Sequence, residues 1–541
     1  MRHPSLLLGA LLGGLTSLPL IALSYLGERV AGLPFVPFDL FDWLARILPG
    51  RLITAVIDAM VSIIVFLGLG EISTAAKRLE QAQGILMVIV GGVIVGLVLA
   101  WALRRTSWPG PVAGAAAGLV VFLFVAAVEI GMGDVAHNPV IALLWLALLI
   151  VGWGALLGTL VAARDVAAAT PDVTAEFRVS RRAFLLKLTG GSATVVLAAW
   201  GLGRLLGTQR QESAAGAPLP EVGVSTPQST GTARGETPTA TPALVNRIEV
   251  PPGARPELTP NGDFYRIDID TRPPVVDQSS WVLEVKGLFD NPRPLTLSDL
   301  MAYPVTTQPI TISCISNPIG GGLIGTSNWT GVPFHIVLKD LGLRPEAQEI
   351  YIEAVDGFYE SVVMADMTDP RTLLVYGMNG DTLPQAHGFP LRIYIPNHYG
   401  MKQPKWIKSI EAIDHHGPGY WVERGWNATA IPHIVSIIDT VATDAVENGK
   451  VPVGGIAWAG DRGIQKVEVQ VDDGAWAEAA LRLPPLSSLT WVLWRYDWPT
   501  VSGEHTFRVR ATDGTGTVQV GTPHPAHPDG ATGYHSVTAT I

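Results

Sequence analysis

The chain has 541 residues, 16% of them charged, a net charge of −10 and a mean hydropathy of +0.32. That length exceeds one ordinary core and points to several units. The negative balance, with no basic cluster beside aromatics, argues against a nucleic-acid partner. Cys314 is the single cysteine, which excludes an intrachain disulfide; its bland reading is a buried, inert thiol.

Five apolar runs, near residues 5–26, 51–70, 84–103, 111–130 and 140–161, each reach the roughly 20 residues that cross a bilayer. A sixth, near 188–206, is shorter and Gly-rich. It follows Ser180-Arg181-Arg182-Ala183-Phe184-Leu185-Leu186-Lys187, which resembles a twin-arginine export signal with one extra Leu. The alternative is an ordinary positive flank, and both readings place Arg181 and Arg182 in the cytoplasm. The positive-inside rule then puts Arg29, Arg46, Arg51, Arg104, Arg105, Arg164 and Arg178 inside as well. The loop 131–139 carries no Lys or Arg and falls outside, as do the N-terminus and everything after about residue 207; only Arg2, Lys77 and Arg78 oppose the scheme. Only His3 and His137 precede residue 207, neither within a span, so the runs offer no facing pair of haem ligands. Asp58, inside the second run, is an intramembrane carboxylate and a functional candidate; anchoring is the simpler role for this half.

Residues 208–260 are rich in Pro, Thr, Ser, Ala and Gly and read as a flexible or extended tether. Short strands with turn signals follow. Strands are expected at 281–285, 310–315 and 391–396. A short helix should open at Leu297 with Ser298 as its cap, and another should run over 333–341 with Pro333 in its first turn and Gly342 as its stop. Without regular βαβ spacing this is an α+β pattern. From about 420–430 onward, Val467, Val469 and Val471 alternate with polar residues, Asp472-Asp473-Gly474 makes a turn, and strands recur without helix signals, as in a β-sandwich.

Gly320-Gly321-Gly322-Leu323-Ile324-Gly325 matches a dinucleotide fingerprint. That fingerprint needs a helix opening at the glycines, and here Trp329-Thr330-Gly331 and Pro333 intervene, so nicotinamide cofactor binding is rejected. Cys314 instead stands at a strand end before a Gly/Pro/Asn loop. A thiolate there suits a soft metal, or a nucleophile with His387 or His398 as base; spacing alone does not separate these.

The segment from Cys314 through Trp329-Thr330-Gly331-Val332-Pro333 resembles the cofactor-cysteine segment of the sulfite oxidase family. So do Tyr376-Gly377-Met378-Asn379-Gly380-Asp381, His387-Gly388-Phe389-Pro390-Leu391-Arg392, and Pro396-Asn397-His398-Tyr399-Gly400-Met401-Lys402-Gln403-Pro404-Lys405-Trp406, in the family's order. The resemblance implies a molybdopterin cofactor whose molybdenum is bound by Cys314. It implies His387 and Arg392 at the pterin phosphate, Lys402 and Lys405 as the basic pair, Tyr265, Arg266 and Asn317 beside the cofactor, Tyr359 as the active-site tyrosine, and Arg462 as a sandwich-domain arginine reaching the pocket. Two departures bear on substrate: the loop 315–322 lacks the arginines that sulfite oxidases place after the cysteine, and no cytochrome domain accompanies the resemblance.

The expected organisation is therefore a membrane region of about six helices (1–207), a linker (208–260), an α+β molybdopterin-binding domain (261–420) and an immunoglobulin-like, dimerisation-type β-sandwich (421–541). The expected function is a multi-pass, membrane-anchored, extracytoplasmic oxidoreductase that transfers an oxygen atom to or from a sulfoxide, N-oxide or sulfite. It would exchange electrons with a redox partner protein or the quinone pool, contact membrane lipid, and pair into a homodimer through the C-terminal domain. A non-catalytic binding or sensing ectodomain and a thiol hydrolase are the alternatives.

Overall fold

A computed structural model describes residues 5–67, 72–132, 138–169, 181–207, 216–219 and 246–541. His3, His137, Arg178 and Ser180, and the side chains of Arg51, Asp58, Arg164, Arg181 and Arg182, lie outside what is described. The chain divides into two compact units, 1–48 with 76–213 and 49–75 with 214–541.

The apolar runs form helices α1 (Leu6–Ala31), α3 (Gly50–Leu67), α4 (Ile72–Leu103), α5 (Gly110–Met132), α6 (Pro139–Ala169) and α7 (Arg181–Gly207), with a further short helix α2 (Val36–Ile47) between the first two. Among the described residues, four stretches, Leu6–Ala31, Thr74–Leu103, Gly110–Met132 and Pro139–Ala162, are long and apolar enough to cross a membrane. Helix α3 groups with the second unit rather than with these four, unlike the single membrane region expected over 1–207. Helix α2 escaped the run-based reading because it is only 12 residues long and one-sided, with Pro37 in its first turn.

Glycine ridges join the helices of the first unit. A Cβ on Gly13 would lie 2.0 Å from the Gly92 carbonyl oxygen, and one on Gly114 would lie 2.1 Å from that of Gly154. Gly9 and Gly13 face Gly92 and Gly96; Gly110, Gly114 and Gly118 face Gly154 and Gly158. Small residues every fourth position let backbones approach where lipid supplies no hydrophobic driving force. Gly27 and Trp145 extend the same contact set, a Cβ at Gly27 meeting the indole at 3.0 Å.

In the second unit, β1 (Glu284–Gly287) is followed by α8 (Leu297–Met301). Its N-cap is Thr296 rather than Ser298: the Thr296 hydroxyl accepts from Asp299 N–H and the Asp299 carboxylate accepts from Thr296 N–H. That reciprocal box needs the cap three residues before the acid, which only Thr296 satisfies. The hairpin β2 (Thr306–Ser313) and β3 (Ile324–Pro333) leads into α9 (Phe334–Asp340); Pro333, expected in the first turn of this helix, instead ends β3 and stands at the N-cap position with no side-chain cap bond. Then come β4 (Glu349–Ala354), β5 (Tyr359–Val363), α10 (Met364–Met367), β6 (Leu373–Met378), β7 (Asp381–Thr382), β8 (Arg392–Tyr394) and β9 (Ile407–Ile413). They make one sheet of order β1-β9-β4-β5 and another of order β2-β3-β6-β7, with β8 on β6. A shared apolar core from both sheets and the helices holds them, including Leu283, Leu300, Phe334, Ile350, Leu374, Ile393 and Ile410.

Two further four-stranded sheets follow, β10-β11-β15-β14 and β13-β12-β16-β17. Their strands are β10 (Val435–Val441), β11 (Lys450–Trp458), β12 (Ile464–Val471), β13 (Ala477–Glu478), β14 (Ala480–Leu481), β15 (Val492–Pro499), β16 (Glu504–Asp513) and β17 (His535–Thr540). Val467 and Val469 from one sheet and Val453 and Trp494 from the other bury into one core, so the alternation expected from the sequence places its apolar face inward.

The expected tether ends earlier than residue 260. Asn246 pairs with Leu483, Arg255 forms an ion pair with Asp439 at 3.0 Å, Glu257 one with Arg482 at 2.5 Å, and the Thr259 hydroxyl accepts from Thr326 N–H. Composition hid this strap because most of its contacts are backbone pairs and ion pairs, with only Val250 and Pro251 adding apolar burial. A fragment starting at residue 246 is expected to unfold at a temperature higher by roughly 5 °C or more than one starting at 261, measured by calorimetry; equal transitions would show that the strap adds no stability.

Candidate functional site

Cys314 is the first residue past β2. Its N–H donates to the Leu323 carbonyl at 2.9 Å, extending the β2–β3 ladder by one step. The loop then closes on itself: Asn317 N–H donates to Cys314 O, and Asn317 Oδ1 accepts from Leu323 N–H at 2.9 Å. Gly320 sits at φ +74°, and a Cβ on Gly321 would meet Asn317 Oδ1 at 2.4 Å, so the Gly run serves this turn and no helix follows it. Residues 487–491 brace the hairpin from outside, with Thr311 N–H donating to Leu489 O and Trp491 N–H to the Thr311 hydroxyl. The thiol is buried and lies 3.0 Å from the Ser316 hydroxyl. Burial pushes its pKa up, against the pull of Ser316 and of Lys405 nearby.

Tyr265 stands between this thiol and a basic cluster. Its ring stacks on Phe264 with centroids 5.4 Å apart. Its hydroxyl is held well above the ordinary 10.0 by burial and by Cys314, with Arg392 acting against them. A Cβ on Gly388, at φ +113°, would meet the Cβ atoms of Arg392 at 3.0 Å and Lys405 at 3.2 Å, so these two basic side chains leave neighbouring points of the backbone. The Arg392 guanidinium is 5% exposed and lies 4.8 Å over the Trp329 ring. It donates from Nη1 to the His387 carbonyl at 3.2 Å, while its Nε has no partner. Burial pulls its pKa down to about 10. No carboxylate is paired with it among the described residues.

His387 is buried, with Nε2 3.2 Å from the Asn261 carbonyl. Burial, then Lys405 and Arg392, bring its pKa down to about 3, so the ring is neutral and donates from Nε2. Lys405 lies 4.3 Å over the Trp406 ring, 3.5 Å from Asp268 and 3.3 Å from Ala386 O. Burial lowers it to about 8, with Asp268 opposing. Arg266 makes a two-point contact with the same Asp268, at 2.7 and 3.2 Å.

The structure thus gathers Tyr265, Arg266, Cys314, His387, Arg392 and Lys405, and places Asn317 in the loop that shapes the thiol. Three other expected residues are engaged by carboxylates. The Tyr359 hydroxyl donates to Glu423. Lys402 is buried against Glu360 at 2.7 Å. Arg462 is held by Asp513 (2.9 Å), Asn397 (3.2 Å) and Pro432 O (2.8 Å), and lines a cleft of about 360 Å³ that Cys314 does not line. Sequence reasoning missed Asp268 and the carbonyl of Asn261. The alternation Arg266-Ile267-Asp268-Ile269-Asp270 was a signal for the first; a backbone acceptor leaves none.

An orphaned, buried guanidinium beside a basic lysine calls for an anion. A buried thiol suits a soft metal, which would displace and release its proton on binding. This donor set fits a ligand with a metal at one end and a phosphate at the other.

Residues 270–421 match the family model described as an oxidoreductase molybdopterin binding domain. The chain is similar to the Azospira oryzae protein YedZ1, provisionally named as a protein-methionine-sulfoxide reductase subunit, with 34% identity over 152 residues. That match covers 28% of this chain and 56% of the relative, so the chain spans little more than half of that protein's length. It is 31% identical over 157 residues to the uncharacterized oxidoreductase YuiH of Bacillus subtilis, covering 29% of this chain and 77% of that one. It is 28% identical over 279 residues to sulfite oxidase of Arabidopsis thaliana, covering 42% of this chain and 71% of the relative.

Proposed function

Because the chain belongs to the sulfite oxidase family of molybdopterin-dependent oxidoreductases, we propose that it transfers an oxygen atom from a small neutral oxo-substrate, such as a sulfoxide or an N-oxide, on the extracytoplasmic side of the membrane. The observation that carries the cofactor assignment is the buried Arg392 without a counter-ion. Arg392 would clamp the cofactor phosphate, and Lys405 would add a second charge to it. Arg392 and Lys405 each give up hydration to be buried, and a phosphate would return that loss as charge-assisted hydrogen bonds. Cys314 would give one thiolate to molybdenum, whose change of oxidation state supplies the oxygen-transfer chemistry. Neutral His387 and Asn317 would fix the backbone that presents these groups. Tyr265, a phenol kept protonated by burial, would hold a proton donor between the thiol and the basic cluster.

Charge around the thiol bears on substrate. The loop 315–322 is uncharged, and the basic residues that could replace its missing arginines are engaged: Lys402 by Glu360, His398 by Asp366 at 3.0 Å and Thr429 O at 2.8 Å, Arg424 by Tyr420 O at 2.8 Å, and Arg462 by Asp513. Each charge-assisted bond to an anion is worth roughly 1.5–3 kcal/mol, so losing one costs about tenfold or more in sulfite binding. The name of the Azospira relative agrees with a sulfoxide substrate. Steady-state assays of the detergent-solubilised protein should show turnover of a methyl sulfoxide with an artificial electron donor and only weak sulfite oxidation. Efficient sulfite oxidation at micromolar Michaelis constant would refute the pocket reading.

The Lys/Arg asymmetry supports an outside N-terminus, an outside catalytic half and a cytoplasmic Arg181/Arg182 loop. Reporter fusions at 131–139 should report the outside; a cytoplasmic signal there would reverse the topology. The two C-terminal sheets are proposed as an immunoglobulin-like dimerisation domain, testable by light scattering, with a redox protein or quinone as electron donor.

A further inference from the structure

Strands β6 and β7 are joined by the two-residue turn Asn379-Gly380, with both residues at positive φ (51° and 91°), as this tight hairpin requires. Residues 216–219 grip the hairpin from its outer edge. Leu219 N–H donates to Gly380 O at 3.2 Å, Thr382 N–H to Ala217 O at 2.8 Å, and Gly216 N–H to the Thr382 hydroxyl at 2.9 Å. The Asn379 side chain instead reaches β3 and the strap. Its Oδ1 accepts from Asn328 N–H at 2.9 Å while its own backbone N–H donates to Asn328 O at 2.8 Å, so the amide supplies one more rung to the β3–β6 ladder. Its Nδ2 donates to Thr259 O at 3.0 Å and to Asn261 Oδ1 at 2.9 Å. Asn261 is thereby held at its side chain, with its own Nδ2 donating to Met378 O at 3.3 Å, and its backbone carbonyl meets His387 Nε2 at 3.2 Å. Phe264 packs T-shaped against the His387 ring, with centroids 5.5 Å apart.

A carbonyl only accepts, so the proton of the His387 ring is on Nε2. Burial, then Lys405 and Arg392, keep the ring neutral, so Nδ1 carries a lone pair and no hydrogen. His387 is 5% exposed, yet its Nδ1 has no partner among the described residues. A buried acceptor left open is costly until a donor reaches it. We propose that Asn379 is a positioning residue which, acting through Asn261, holds His387 in the Nε2–H tautomer and so offers the cofactor a hydrogen-bond acceptor at Nδ1. The proposal rests on the molybdopterin oxidoreductase reading above, and it changes the role that the family resemblance implies for His387. An ionised phosphate presents acceptors alone and would be repelled by the Nδ1 lone pair, whereas the pterin head carries N–H groups that suit it. The phosphate is left to Arg392 and Lys405, and His387 meets the pterin.

A residue that only stiffens the hairpin would leave the tautomer of His387 alone, which sets the test. Solid-state nitrogen NMR is recorded on the full-length protein in lipid membranes, isotope-labelled at histidine; the signals of His387 are those lost in His387→Gln. The wild type is expected to show a protonated Nε2 and a bare Nδ1 already without cofactor, because the protein sets the tautomer. Asn379→Asp keeps the acceptor for Asn328 N–H and cannot donate to Thr259 or Asn261; Asn261→Ala cuts the same link from its other end without adding a charge. Both are expected to show a mixture of the two tautomers and, once loaded, to lose molybdenum about tenfold faster than the wild type, the size of effect usual for a partner one step removed from the bound group. Thr382→Val loosens the outer edge of the same hairpin at Gly216 and is expected to match the wild type in both measurements. A wild-type ring protonated at Nδ1 overturns the proposal, as do wild-type spectra in both Asn379→Asp and Asn261→Ala. Mixed tautomers with unchanged molybdenum retention overturn the cofactor role, and the same mixture in Thr382→Val reduces Asn379 to a stiffener of the turn. Failure of the oxygen-transfer reading is distinguishable, because it appears as no turnover of any neutral oxo-substrate by molybdenum-loaded wild type whose His387 signals are as expected.

Discussion

Arg392→Met is expected to raise the melting temperature of the cofactor-free protein and, in the same molecule, to abolish retention of the cofactor. The two effects have one cause. The guanidinium is buried, leaves Nε unpaired and meets one carbonyl and the face of Trp329 in place of a carboxylate. Taking a charge out of water without a counter-ion is costly, and replacing such a group by an apolar one of similar length commonly gains about 1–4 kcal/mol. For a unit of this size that is on the order of a few degrees in melting temperature. When phosphate is bound the sign reverses, because the same cation then makes charge-assisted bonds that methionine cannot. Calorimetry of protein from cells unable to make the cofactor, beside elemental analysis of protein from cells that can, reads both. A destabilised apo-protein with normal molybdenum content would mean that Arg392 is a structural residue.

Cys314→Ala is expected to remove activity completely and to cut molybdenum retention by more than the roughly 10–100-fold typical of losing an outer-shell partner. The fold should survive. The thiol contributes one contact to Ser316, whereas the loop is held by backbone bonds at Cys314 N–H and by Asn317, none of which needs the sulfur. The raised thiol pKa in the empty protein also predicts that the free thiol alkylates slowly at neutral pH, since the reactive thiolate is scarce. Molybdenum content unchanged in Cys314→Ala, measured on protein with a wild-type circular dichroism spectrum, would sink the assignment.

Much of the fold was legible because burial writes a period into sequence. The alternation at Val467, Val469 and Val471 points inward as expected, and the helix expected over 333–341 forms as α9. The apolar runs became helices where they stood. The misreadings have local causes. Ser298 lost the cap to Thr296 because the reciprocal bond with Asp299 depends on a spacing of three, not on residue type alone. Cys314, His387, Arg392 and Lys405, drawn from separate motifs, lie near one another in the structure. Lys402, Tyr359 and Arg462 share its motifs but meet local carboxylates, Glu360, Glu423 and Asp513. Such pairings join residues 42, 64 and 51 positions apart, and no window of sequence reveals which cation a distant acid will claim.

The strap at 246–260 gives the anchored design a mechanical property. From residue 246 onward the chain is fixed first by the bridge of Asn246 to Leu483 and then by the ion pairs of Arg255 with Asp439 and Glu257 with Arg482, all in the sandwich. Only beyond these does the chain reach Thr259, which touches β3 through Thr326, and the Phe264–Tyr265 pair beside the thiol. The strap works like the clamp where a cable enters a housing. Tugging on the cable loads the clamp and leaves the soldered joint still, so strain entering at residue 246 is taken up in the sandwich before it reaches the Phe264–Tyr265 pair.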